Sequence, residues 1–129
     1  MILITNLNQN QSFSLLDYFN GEYYSYTTAP VGDNFVNLGN CYMNFSSTRA
    51  NNIIGESMVI KNFEVSNAIK VLNAQVKKTE YLQDGTVVIY AFTNKINRDV
   101  NIDGEKVNLQ IACYEDYSVL GWPLILGSF

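Results

Sequence analysis

The strongest periodic signal in the chain begins at Val65. Val65, Ala68, Ile69 and Leu72 stand at i, i+3, i+4 and i+7, one apolar stripe with polar residues between. The spacing predicts an amphipathic helix over about Phe63–Leu72. Asn62 is its expected N-cap, Glu64 lies in its first turn, and Asn73 is a left-handed stop. One stripe means one covered face, so this helix is expected to lie on a sheet.

Elsewhere the pattern reads as strands. "EYYSYTTA" (Glu22–Ala29) is rich in Tyr and Thr. "FVNLGNCYMNFSS" turns Cys41, Met43 and Phe45 one way and Asn40, Tyr42 and Asn44 the other. "GESMVIKNF" (Gly55–Phe63) is a further strand, after a turn at Arg49–Asn52. "QVKKTEYL" runs into Gln83-Asp84-Gly85, a hairpin signal, and returns as "TVVIYAF". Both faces of that return strand are apolar: Val87, Ile89 and Ala91 on one, Val88, Tyr90 and Phe92 on the other. It is expected to be central and covered on both sides, by the helix on one and by the N-terminal segment or a second subunit on the other. "NRDVNIDGEKVNLQIACY" predicts a strand pair about Asp103-Gly104. At the end, Gly121-Trp122-Pro123 predicts an irregular stretch and "LILGSF" a short strand against the core. "QSFSLLDYFNG" is consistent with a short N-terminal helix capped by Ser12 or Ser14 and ended at Asn20-Gly21. The expected fold is therefore α+β: one domain over residues 1–129, an antiparallel sheet of about five to seven strands, and the helix on one face.

Composition narrows the function. The chain is 129 residues long, 47% hydrophobic and 16% charged, with net charge −4 and scattered Lys and Arg. No basic stripe is present to release counterions from a nucleic acid, so none is expected as a partner. His is absent, which removes the commonest general base, the Ser/Cys–His pair and most zinc sites. "MILITNLNQNQ" lacks a basic n-region, and no stretch approaches the roughly 20 apolar residues of a spanning helix, so no membrane insertion is expected. The chain as given reads as cytoplasmic, or as exported or envelope-bound if a leader has been removed. Cys41 and Cys113 each sit in an apolar, strand-like run. They read as two buried thiols, or as a disulfide between neighbouring strands.

Three patterns invite chemistry. Asp99, Asn101, Asp103 and Gly104 match the first half of a calcium loop. Gln110 stands where a bidentate Glu belongs and Lys106 where an apolar residue packs, so a hairpin is expected there and no metal. Glu56, Glu80, Asp84, Glu115 and Asp116 are the carboxylates available for acid–base work, but most fall at turns or strand ends, and no enzyme or cofactor is expected. The aromatic run "DYFNGEYYSY" offers Tyr18, Tyr23, Tyr24 and Tyr26 as a platform on which a glycan or small ligand can stack.

Over Lys77–Phe129, "KKTEYLQDGTVVIYAFTNKI", "GEKVNLQIACY" and "GWPLILGSF" resemble the C-terminal part of the YwmB-like family of Firmicutes. The resemblance implies a TATA-box-binding-protein-like fold, a curved antiparallel sheet with helices on one face, and an envelope or sporulation setting. It implies no DNA binding, because fold does not carry function. The expected function is a non-catalytic protein-binding or assembly domain, self-associating, with a ligand- or glycan-binding module over Tyr18–Tyr26 as the alternative.

Overall fold

The computed structural model describes residues 13–27 and 53–125. Its frame is a six-stranded, wholly antiparallel sheet. Its strands are β1 (Glu22–Thr27), β2 (Ile53–Lys61), β3 (Gln75–Tyr81), β4 (Val87–Phe92), β7 (Leu109–Cys113) and β8 (Tyr117–Trp122). They lie in the order β1-β2-β8-β7-β4-β3, so β1 and β3 are the edges among the described residues. A separate hairpin, β5 (Val100–Ile102) with β6 (Glu105–Val107), makes a second two-stranded sheet. One helix, α1 (Val65–Val71), and a 3-10 turn at Leu15–Asp17 complete the described elements. The α+β class, the antiparallel sheet and the helix are as the pattern predicts. The expected strand Phe35–Ser47, the turn Arg49–Asn52, Cys41 and most of "LILGSF" lie outside the described residues.

One sheet face carries the main core. Tyr23, Met58, Leu120, Trp122, Ile111, Leu109 and Ala91 pack there beneath Ala68 and Leu72 of the helical segment and beneath Phe13 and Leu15 of the N-terminal segment. The helix stripe is thus used as its spacing requires, and Asn73 takes the left-handed conformation at φ 50°. The cap is a correction. Glu64, not Asn62, is the N-cap, and its side chain makes no capping bond. Asn62 is occupied in turning the chain out of β2, at φ 52° with its N–H donating to the Asp116 carbonyl. Ser14 does cap its turn, accepting from Leu16 N–H at 3.2 Å.

The second face of β4 is covered from within the chain. Val88 packs with Ala112 and Ile125, and Tyr90 packs with Val100, Val107 and Leu124. The cover is therefore the β5–β6 hairpin and the segment after β8. Neither the N-terminal segment nor a second subunit is needed there.

The chain end differs from expectation for a steric reason. Gly121 and Trp122 belong to β8, in register with Ser57 and Glu56 of β2. The chain then doubles back after a cis Trp122–Pro123 peptide, and Ile125 N–H donates to Gln110 Oε1 at 2.8 Å. A Cβ on Gly121 would stand 2.6 Å from Ile125 Cα, so glycine is what lets the chain close over the strand. Leu124 and Ile125 reach the core as expected, by this fold-back rather than as a strand.

Candidate functional site

Alternation along β1 separates the tyrosines. Tyr23 pairs with Met58 and faces the main core, 3% exposed, while Tyr24 pairs with Ser57 and faces the other way. Tyr24 donates its hydroxyl to Glu22. Tyr18 lies on the N-terminal segment, stacked on Phe13 at 5.5 Å with Lys95 Nζ over its ring. Tyr26 stands in β1 opposite Gly55, and its side chain is outside what the structure describes. Tyr18, Tyr23 and Tyr24 share no platform.

Tyr23 instead belongs to a buried polar centre built on Glu56. Glu56 faces Ser25 across β1 and Trp122 across β8, on β2 between the two, with no exposed surface. Its Oε1 accepts from Leu15 N–H and Trp122 Nε1–H, both at 2.7 Å. Its Oε2 accepts from Ser14 Oγ at 2.6 Å and from the Tyr23 hydroxyl. Four donors meet the two carboxyl oxygens of Glu56, which is how such a group is kept inside a core. Burial, and then the hydrogen bond to Glu56, pushes the Tyr23 phenol well above its ordinary range. Glu56 was visible in the sequence only as one candidate carboxylate. Its donors come from positions 33 to 66 residues away, and no local motif announces them.

The other carboxylates are spent on the fold or solvated. Asp84 accepts from Thr86 N–H at 2.9 Å in the β3–β4 turn, which holds its carboxyl below the usual range. Glu115 and Asp116 are exposed in the β7–β8 turn. Around that turn, Tyr114 and Tyr117 stack at 4.7 Å between two open clefts of about 500 and 540 Å³. Cys113, on the rim of one cleft, is a free thiol that burial pushes up. The calcium-like run is the β5–β6 hairpin: Asn101 Oδ1 accepts from Gly104 N–H at 2.9 Å, and Asp103 is held by Lys78. Among the described residues no group of three or more metal-ligating side chains occurs. No described helix is long and apolar enough to cross a membrane.

What the main core leaves outside is concentrated elsewhere. Six large hydrophobic side chains are exposed among the described residues; Val76 and Tyr81 lie on β3, Leu82 directly follows it in the chain, and Val71 is the last residue of α1. Tyr81 is 78% exposed. β3 is an edge strand, so its outer N–H and C=O groups meet no neighbouring strand among the described residues. A bulge between Val76 and Lys78 breaks its register with β4, leaving a regular stretch from Lys78 to Tyr81. Val76, Tyr81 and Leu82 read as strand from the sequence, and only the sheet order shows that the strand is an edge.

No family model matches the chain, and no curated protein or solved structure matches it.

Proposed function

We propose that the chain is a non-catalytic protein-binding or assembly domain whose contact surface is the β3 edge. The observation that carries this is an edge strand, β3, with an open side among the described residues and with Val76 and Tyr81 exposed along it and Leu82 exposed just after it. Scattered single hydrophobics are ordinary on a protein surface; exposed ones along an open edge suit a partner that adds a strand. The non-catalytic part of the reading is supported by Glu56, a fully buried carboxylate whose oxygens are both taken by structural donors. Through the YwmB-like resemblance the reading extends to an envelope or sporulation setting.

The test is cross-linking of the intact chain in extract of its native host, beside a Tyr81→Ser/Leu82→Ser variant of unchanged melting temperature. Partners, including the chain itself, should be captured by the native protein and lost in the variant. Equal capture by both would remove the β3 edge as the contact surface.

A further inference from the structure

We propose that the partner on the β3 edge is a second copy of the chain, its own β3 pairing antiparallel about a two-fold axis at Thr79. This rests on the assembly reading above and adds to it the identity of the partner and the register.

The register follows from hydrogen-bond parity. Leu82 N–H donates to the Thr86 carbonyl at 2.9 Å, so Leu82 and Thr86 form a hydrogen-bonded pair at the end of the β3–β4 ladder. Pairs alternate along an antiparallel ladder. Glu80 with Val88 is therefore hydrogen-bonded, and Tyr81 with Val87 and Thr79 with Ile89 are not. The backbone groups of Thr79 and Tyr81 consequently point away from β4, to the open side.

A two-fold axis perpendicular to a sheet places a residue opposite itself, because side chains must keep their face. An axis at Lys78 sets two ammonium groups opposite each other, and one at Glu80 sets two carboxylates. An axis at Thr79 sets Thr79 opposite Thr79 as a hydrogen-bonded pair and Lys78 opposite Glu80 twice. Opposite charges directly across a ladder are favourable and like charges are not. The same register brings Tyr81 of each copy over the bulge toward Val76 of the other. Val76 and Tyr81 lie on one face, since they pair with Ala91 and Val87 of β4. Thr79 is exposed, as an open edge requires. Two six-stranded sheets thereby join into one continuous sheet, and both open β3 edges disappear.

Charge exchange tests this. In light scattering over rising concentration, the native chain should move from monomer toward dimer mass. Lys78→Glu and Glu80→Lys, each alone, should abolish the rise. The first substitution sets carboxylate against carboxylate in both cross-strand pairs, and the second sets ammonium against ammonium. An equimolar mixture of the two variants should recover the dimer. In that mixed dimer the Lys78→Glu copy offers two carboxylates and the Glu80→Lys copy two ammonium groups, so every cross-strand contact joins opposite charges. Loss of the Lys78–Asp103 contact within the chain cannot produce recovery on mixing. Thr79→Pro, which removes an outward N–H and leaves the β3–β4 ladder intact, should also give a monomer at an unchanged melting temperature. A mixture that stays monomeric, single variants that associate like the native chain, or a native chain monomeric throughout would overturn the proposal. A monomeric native chain that still captures a partner through Tyr81 would overturn the self-pairing alone and leave the assembly reading standing.

Discussion

The Trp122 indole N–H points at Oε1 of Glu56 from 2.7 Å, across the β2–β8 ladder in which the two residues are direct partners. That contact joins β8 to β2. The same carboxylate also takes Leu15 N–H and Ser14 Oγ, so one side chain holds the N-terminal segment over the core.

Glu56→Ala should therefore be severely destabilising. It strands four buried donors, each left-over group costing about 1–3 kcal/mol. A loss of about 3 kcal/mol or more is expected from urea denaturation. Tyr23→Phe leaves Glu56 Oε2 one buried partner short and should cost about 1–3 kcal/mol. A Glu56→Ala protein as stable as the native one would show that the centre is not structural.

Stability should decline on the alkaline side, and Tyr23 should be part of the reason. Its phenol holds its proton more tightly folded than unfolded, the ordinary value being 10.0. Its contribution is whole below that value and is lost as pH climbs toward the raised folded value. Denaturation midpoints measured upward from pH about 10 should fall more steeply for the native chain than for Tyr23→Phe. Parallel curves would remove Tyr23 from the account.

Leu15 is fully buried in the segment that Glu56 anchors, against the main core. Leu15→Ala should cost about 2–5 kcal/mol, by lost transfer energy and the cavity left behind. Trp122 is the single tryptophan and meets Phe13 edge-on at 5.8 Å. Its fluorescence should report the loosened segment as a red shift before global unfolding in urea. A native-like spectrum and midpoint would mean that the segment carries little of the fold.

Gly121→Ala should displace the fold-back. The new Cβ would meet Ile125 backbone at 2.6 and 2.8 Å, and backbone cannot step aside as a flexible side chain can. A cost of about 1–3 kcal/mol is expected. Amide exchange should quicken at Ile125, whose N–H is tied to Gln110. Unchanged exchange would show that the return path tolerates a methyl group.

Much of the fold was legible because it is written in local periods. The 3.6-residue stripe from Val65 to Leu72 marked α1, Asn73 its stop, and Asp84-Gly85 and Asp103-Gly104 their hairpin turns, with both glycines at positive φ. Side-chain direction in a strand alternates by geometry alone, so the two apolar faces of β4 were also set in advance. Such signals need only neighbours in the chain.

Sheet order is a different kind of fact. Nothing within "QVKKTEYL" says that β3 is an edge, and nothing within "VNLQIACY" says that Asn108 separates the small hairpin from a strand of the main sheet. What covers the second face of β4 depended on Leu124 and Ile125 returning over Gly121, a path set by a missing Cβ. Glu56 is the sharpest case. As a residue type it suits solvent; four donors brought together from three separate segments make it a buried centre. The sequence by itself determined α1, the strands β1 to β4 and the turns at Asp84-Gly85 and Asp103-Gly104, because those preferences act over a few residues. Tertiary structure decided which strand is left open and which charge is enclosed, because both depend on groups far apart in the chain.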